Sequence, residues 1–311
     1  METRTAIVNL FVIIVTYKGQ RWYERCFSSL LKLDMPIKVI VVDNASNDGS
    51  VDYIRTHYPE FHLIESKENL GFGRANNIGI RYALAQGCDY VFLLNQDAWV
   101  KPDTFSELIR IHQQHQEYGL LSPMHLTADE LHVENGVLHY IDDHRITDSK
   151  FMEDLYFNRL SDVYVTTYIN AAAWLLPRKT IETIGGFDPI YYHYGEDDDY
   201  LNRLRFHKIK VGICPQVRIV HDSVRPHREC SKQQLTQRHC QEILLSCTDL
   251  NCNVMVTQRV FFLYRKSIFK ALRGKFRLAK QMFDDARYLW RMRERIKLSR
   301  NTNAQTNPSW L

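Results

Sequence analysis

The chain has 311 residues, 45% hydrophobic and 24% charged, an ordinary globular balance with room for a sizeable core. Its net charge of +4 is unevenly placed. Arg259 to Leu311 holds 14 Lys and Arg against 3 Asp and Glu, leaving 26 against 33 on Met1 to Gln258, so an acidic body carries a basic tail. No segment approaches the roughly 20 apolar residues that span a bilayer. Leu10 to Val15, behind Glu2 and Arg4, is too brief for a secretory leader, and seven cysteines without a CxxC pair exclude the usual zinc and thiol-redox spacings. A cytoplasmic chain in a reducing compartment is expected.

In chain order, Phe11 to Val15 is a continuous apolar, largely β-branched run closed by Thr16-Tyr17-Lys18-Gly19, which predicts a buried strand. Tyr23, Phe27, Leu30 and Leu31 recur at helical spacing before Pro36. A strand from Lys38 to Val42, a turn-rich loop from Asp43 to Gly49 and a helix from Ser50 to Tyr58 follow. The alternation continues with a strand over Phe61 to Glu65, a helix over Arg74 to Gln86, a strand over Tyr90 to Asn95 and a helix opened by Pro102. Strict alternation predicts a mostly parallel sheet covered on both faces, with ligands at the carboxyl ends of its strands. Thr16, Asp43 and Asn95-Gln96-Asp97 each follow a strand and are expected along that edge. From Gly119 the rhythm loosens: Leu131 to Asp142 and Val163 to Tyr168 read as short strands, Glu196 to Phe206 as a helix and Val211 to Val220 as a strand. Beyond Ser231 the pattern is helical, and the polar end from Asn301 to Leu311 is expected to fray.

Five constellations carry chemistry. Asp43, just past a strand end, can accept an imide N–H from a base, although the loop that follows is also a helix cap. Asn69-Leu70-Gly71-Phe72-Gly73-Arg74 places glycines and a guanidinium near a helix start, where phosphate can approach backbone N–H groups. It is not a dinucleotide fingerprint, because Asn76 stands at the third glycine position and the segment follows the third strand. Phe92-Leu93-Leu94-Asn95-Gln96-Asp97 drives a strand into the core and delivers an oxygen ligand for a hard cation at its end. Glu196-Asp197-Asp198-Asp199 opens a helix with more acid than the helix dipole requires, so one carboxylate can serve as a general base. His221 ends the strand over Val211 to Val220.

In this order, from Phe11 to Ser223, the features resemble glycosyltransferase family 2, and the run Asn-Leu-Gly-Phe-Gly-x-Ala-Asn-Asn resembles its rhamnosyltransferase-like branch. The resemblance implies an α/β GT-A fold, a mostly parallel central sheet flanked by helices, with a C-terminal helical extension. It implies that Thr16, Tyr17 and Asp43 hold the nucleoside, and that Asn69, Gly71, Arg74, Asn95 and Gln96 line the donor. Asn95-Gln96-Asp97 stands for the family's Asp-x-Asp metal motif, with Asn95 where many relatives carry aspartate. Asp97 and His221 become the ligands of Mg²⁺ or Mn²⁺, Asp197 the base, and Trp174 and Glu196 acceptor-binding residues. The implied reaction is inverting transfer of a hexose from a nucleotide-diphosphate donor, UDP- or dTDP-sugar favoured, to an acceptor hydroxyl in cell-surface polysaccharide or glycan synthesis.

The expected domains are a catalytic unit over 1–230, divided at 118 into nucleotide-binding and acceptor-binding halves, a basic helical extension over 231–300 and a flexible tail over 301–311. Phe261, Tyr264, Ile268, Leu272, Phe276, Ala279, Phe283, Ala286 and Trp290 recur every three or four residues among basic side chains. Two readings follow. In one, the extension docks on an anionic membrane at its inner face, near a glycan or lipid-linked acceptor. In the other, it packs on protein, either the catalytic unit or a second subunit of a homo-oligomer, with Gly274 at a bend. Nucleic acid is not an expected partner, given the interleaved acids and the apolar stripe. The rival functions are a sugar-nucleotide nucleotidyltransferase, for which Thr16 to Arg21 lacks the glycine-rich, lysine-bearing phosphate loop, and a noncatalytic carbohydrate- or nucleic-acid-binding protein.

Overall fold

Side chains alternate along the first strand, and this sets the two faces of the sheet. Leu10, Val12 and Ile14 enter one core cluster, while Phe11 and Ile13 enter another on the opposite face. The computed structural model describes residues 8–142, 145–223, 231–307 and 309–311. Glu2 and Arg4, Cys230 and the boundary expected at 230 lie outside the described residues. In chain order the elements are β1 (Leu10–Thr16), α1 (Gln20–Ser29), β2 (Lys38–Asp43), α2 (Ser50–His57), β3 (His62–Glu65), α3 (Phe72–Ala85) and β4 (Tyr90–Asn95). Then come β5 (Ala98–Val100), α4 (Thr104–Gln114), β6 (Tyr118–Leu126), α5 (Asn135–Asp142), α6 (Phe151–Tyr156), β7 (Tyr164–Val165) and β8 (Ala173–Pro177). The chain continues through α7 (Arg178–Ile184), α8 (Glu196–Phe206), β9 (Lys210–His221), α9 (Lys232–Thr248), α10 (Val256–Leu272) and α11 (Phe276–Asn303).

The strands form one sheet in the order β3-β2-β1-β4-β8-β6-β9-β5, with β7 also on β9. Its first half is parallel, as the alternation predicts, and register places Thr16 beside Asp43 and Val15 beside Asn95. The second half corrects the expectation of a mostly parallel sheet. β8 runs antiparallel to β4 and β6, and β5 and β7 run antiparallel to β9, so the eight pairings divide evenly. The sheet is mixed because β8 inserts between β4 and β6 in the reverse direction. The fully buried run of β8 has no polar alternation to mark it as a strand.

Two further local expectations change. Leu131 to Asp142 contains the helix α5, in which Val137 and Tyr140, three residues apart, bury one face; the apparent two-residue alternation ends at Asn135. The described residues of Asn301 to Leu311 are anchored through Asn303 and through Ser309 to Leu311, not frayed. Asn303 is 3% exposed; its Nδ2 donates to Asp188 Oδ2 at 2.8 Å, and its Oδ1 accepts from Trp310 Nε1 at 2.6 Å. Ser299 Oγ donates to the same Asp188 oxygen at 2.6 Å. The Gly186 N–H donates to the Ser309 carbonyl at 2.9 Å, and Asn77 Nδ2 donates to the Trp310 carbonyl at 3.1 Å. Gly185 and Gly186 are needed there: a Cβ on either would lie within 3 Å of Ser309 backbone or of Leu311 and Asn77. Polar residues that read as a solvated end are thus hydrogen-bond partners of a buried carboxylate.

Asn303→Ala strips one donor from Asp188 and orphans the Trp310 indole, so unfolding free energy in urea should fall by about 1–3 kcal/mol. A free tail would give a change within about 0.5 kcal/mol.

Candidate active site

Three groups of side chains gather on this frame. In the first, β1 and β2 deliver Thr16 and Asp43 side by side. Thr16 Oγ1 donates to Asp43 Oδ1 at 3.1 Å, and the Ser46 N–H donates to Asp43 Oδ2 at 2.8 Å. Asp43 is 1% exposed, so it braces the loop, and any base N–H it accepts shares an oxygen with these donors. Asn44, which no sequence signal singled out, ties this loop to the next: its Nδ2 donates to Asn69 Oδ1 at 2.9 Å and its Oδ1 accepts from the Leu70 N–H at 2.7 Å. Gly71 adopts φ +80° with Tyr192 O where its Cβ would be, and Tyr192 Oη donates to the Asn69 carbonyl. Arg74 Nη2 donates to the Pro189 carbonyl at 2.8 Å, while its buried Nε lacks a partner. Gln96 turns its amide to the chain itself, accepting from Tyr17 N–H at 3.0 Å and donating to Tyr17 O at 3.2 Å. Tyr17 keeps an exposed ring, and Asn95 is half-buried at the end of β4.

The second group forms where β5 pairs with β9. Ala98 stands opposite His221, and the Asp222 N–H donates to the Asp97 carbonyl at 2.9 Å. This register leaves Asp97 Oδ1 3.4 Å from His221 Nε2. Behind the ring, Glu134 Oε2 lies 3.2 Å from His221 Nδ1, although off-line, so that nitrogen has no aligned partner. The same Glu134 oxygen lies 3.3 Å from His125 Nδ1, and His125 Nε2 meets Ser122 Oγ at 3.2 Å. Burial works to lower the His221 pKa, but Asp97 and Glu134 outweigh it and hold the imidazole at about 9. Burial likewise opposes the Glu134 charge, yet the two histidines win and keep its pKa below the ordinary carboxylate range. His125 is held below its ordinary value by burial.

The donor set therefore fits a divalent cation. The field between Asp97 and Glu134 already favours a positive charge, and a carboxylate oxygen with an imidazole nitrogen suits Mg²⁺ or Mn²⁺. His125, Glu134 and His221 also converge closely enough to ligate an ion among themselves. That trio is enclosed, with His125 at 0% and Glu134 at 4% exposure. The Asp97 side chain keeps 17% and is the edge a diphosphate can reach. Glu134 stands behind the His221 ring, the position from which a carboxylate can orient a metal-binding histidine. Sequence reading missed it because it precedes α5 in the irregular stretch after β6.

The third group opens α8. Asp197 Oδ2 accepts from Tyr168 Oη at 3.1 Å, and Oδ1 accepts from the Asp198 N–H at 3.0 Å. Burial raises the Asp197 pKa, against which the Asp198 N–H and the Tyr168 hydroxyl act. Burial and the neighbouring Asp197 push Glu196 up to about 8 and Asp198 up to about 7, with Arg145 pulling Asp198 down. Asp199 belongs to the scaffold, paired with buried Arg203 at 2.9 Å. Glu196 is 6% exposed with Oε2 unpartnered, and burial favours its protonated form, which has an O–H to give. The Tyr168 ring packs edge-on against Tyr140 at 5.2 Å, and burial raises the Tyr140 pKa, with the charges of both Glu134 and Asp197 acting in the same direction.

Trp174 requires correction as an acceptor-binding residue. It is 0% exposed in the middle of β8, opposite Leu93, and its ring stacks on Phe187 at 6.1 Å. It fills the core beneath the site.

The fold is GT-A-like. A Staphylococcus aureus TarS fragment superposes with TM-score 0.57 at 13% identity over 96% of this chain and 88% of that one. A Pyrobaculum calidifontis mannosyltransferase described in complex with GDP-Man and Mn²⁺ does so with TM-score 0.55 at 19% identity, over 96% and 74%. Among curated proteins, a Haloferax volcanii low-salt glycan biosynthesis hexosyltransferase is 24% identical over 70% of this chain and 69% of its own. A Shigella flexneri dTDP-rhamnosyl transferase is 22% identical over 68% and 69%. A Mycobacterium tuberculosis N-acetylglucosaminyl-diphospho-decaprenol L-rhamnosyltransferase is 25% identical over 62% and 69%. The family model described as Glycosyl transferase family 2 matches residues 11–168, more than half of the chain, and the chain belongs to that family. It is a glycosyltransferase, which sets aside the nucleotidyltransferase and noncatalytic readings.

Glu134→Gln keeps the shape behind His221 but removes the charge. The Mn²⁺ concentration giving half-maximal thermal stabilisation should rise about 10- to 100-fold, with the melting temperature in chelator shifted far less. Unchanged Mn²⁺ dependence would show that Glu134 does not orient the ligand.

Proposed function

We propose that the chain is an inverting, metal-dependent glycosyltransferase. It moves a hexosyl residue, with rhamnose among the candidates, from a UDP- or dTDP-sugar to the hydroxyl of a glycan or lipid-linked acceptor in polysaccharide or glycan synthesis. The observation that carries this reading is the half-buried Asp197, held by Tyr168, together with the Asp97–His221 pair; Tyr140, which packs on Tyr168, feels the charges of both Asp197 and Glu134. The names of the relatives support the sugar class, and one of them includes a diphospho-decaprenol acceptor.

The loops after β1, β2 and β4 receive the nucleotide: Tyr17 offers its ring to the base, Asp43 its carboxylate to a base N–H, and Asn95 its side chain to the donor. Asn69 and Gly71 shape the loop at the start of α3, where Arg74 has a buried, unpartnered Nε. A cation held by Asp97 and His221 supplies Lewis acidity toward the leaving diphosphate. Asp197 takes the proton of the acceptor hydroxyl, whose oxygen then displaces the diphosphate at the anomeric carbon in one in-line step, which inverts configuration. Tyr168 donates to the Asp197 carboxylate and so favours its ionised, proton-accepting form. Glu196, carrying its own proton, hydrogen-bonds an acceptor oxygen.

Asp197→Asn preserves shape and removes the proton acceptor. With the donor found by thermal shift across UDP-, dTDP- and GDP-sugars, binding should survive while transfer falls by about 10² or more. A crippled Asp198→Asn beside an active Asp197→Asn would move the base by one residue.

The pH profile gives an independent check. A base must be deprotonated, so kcat/KM should rise with pH through an inflection above the ordinary aspartate value of about 4. Tyr168→Phe removes a donor to the carboxylate and should move that inflection further up; an unmoved inflection would separate Tyr168 from the base.

A further inference from the structure

The basic stripe divides when α10 and α11 fold against each other. Gly274, at φ +70°, closes α10 with two backbone bonds, Gly274 N–H to Ala271 O and Lys275 N–H to Lys270 O, both at 2.9 Å. These form the Schellman pattern that lets a helix stop and reverse. One side of the resulting hairpin packs inward: Val260, Ala286, Leu289 and Ile296 join Ile190 and Tyr191 in a third core cluster, and Ser267 Oγ donates to Ala279 O at 2.7 Å. Tyr264 meets Phe283 edge-on at 5.4 Å across the hairpin. The expected single stripe is thus corrected, because the reversal at Gly274 turns its members to different sides.

The other side is exposed among the described residues. Phe261 is 73% exposed, Ile268 64%, Leu272 81% and Phe276 71%, with Phe262 and Phe269 beside them. The last four turn-proximal apolar residues, Ile268, Phe269, Leu272 and Phe276, crowd the closed end. Charge is one-sided there. From Arg259 to Phe283 the chain carries eight Lys and Arg and no Asp or Glu. Among the described residues no helix is long and apolar enough to cross a membrane.

We propose that the closed end of the α10–α11 hairpin docks on an anionic lipid surface, its apolar side chains entering the acyl boundary and its cations meeting headgroup phosphates. An amphipathic element with bulky apolar residues among Lys and Arg has the composition such surfaces bind. A second copy of the chain is the weaker occupant, because a twofold contact through this face would set one cationic cluster against its twin. Nucleic acid would engage the cations but leave Leu272 and Phe276 uncovered. Lys266 lies over the Phe262 ring at 4.5 Å and Arg273 over Phe269 at 4.1 Å, so cation and ring are presented together.

The test is co-sedimentation of the full chain with vesicles of phosphatidylcholine alone or with 30% phosphatidylglycerol, an arbitrary composition of about the charge of a cytoplasmic leaflet. No donor or turnover is needed, so failure here leaves the transferase reading untouched. Wild type should pellet with the anionic vesicles and remain in the supernatant with the neutral ones. Leu272→Ser with Phe276→Ser, and separately Lys266→Glu with Arg273→Glu, should each weaken anionic-vesicle partitioning about tenfold or more, with little change in melting temperature since all four side chains are exposed. Equal recovery of wild type from both supernatants, or undiminished pelleting of both variants, would overturn the proposal. So would light scattering that finds a dimer of the wild type which the Leu272→Ser, Phe276→Ser variant dissociates, because the face would then serve a second copy.

Discussion

The antiparallel pairing of β5 with β9 is the constraint on which the site depends. β5 is only three residues long, yet its register with β9 sets Ala98 opposite His221 and so brings Asp97, from the loop after β4, to the ring of a histidine more than a hundred residues away. Two carboxylates then flank one imidazole in a buried setting. Left alone, that arrangement holds a proton on His221; offered a divalent cation, it has the oxygen and nitrogen donors to take one. The buried Glu134–His125 pair fixes the far side of the ring, so the geometry does not depend on the loop alone.

The acidic helix α8 is placed by a different set of contacts. Its first residues stand on a loop from Gly185 to Gly195 that is held from beneath by the chain's own end: Asp188 by Ser299 and Asn303, and Gly186 by Ser309. Above, the same loop meets the donor-side segment through Arg74 with Pro189 and Tyr192 with Asn69. The loop before α3 and the start of α8 are thus tied to one loop by side-chain-to-backbone hydrogen bonds, and the C-terminal helices support that loop as well as forming surface.

Much of this was legible in the sequence because the residues that matter lie at element ends. A buried run such as Phe92 to Leu94 announces both a strand and the residue that follows it, and an acidic cluster announces a helix start. Asp97, His221 and Asp197 were singled out in this way, and the structure brings the first two within 3.4 Å of each other. Glu134, His125, Asn44 and Tyr168 were not, since their importance lies in contacts between distant segments and their local pattern is ordinary. β8 was hidden by its own burial: with both faces covered it shows no alternation, and Trp174, expected among the acceptor-binding residues, is a core ring instead. The tail was misjudged for the complementary reason. Its polar residues suggested solvent, but Asp188 is a buried carboxylate that needs donors, and Ser299 and Asn303 supply them.

The claim at the centre is that Asp97 and His221 together hold a divalent cation beside the donor diphosphate. Titration of Mn²⁺ with UDP present, followed by the electron paramagnetic resonance signal of free Mn²⁺, reads that claim without turnover. If the pair holds the ion, wild type depletes the free signal, and Asp97→Ala and His221→Ala each weaken binding at least about tenfold while the folded state is retained. Wild-type affinity in both variants would contradict it.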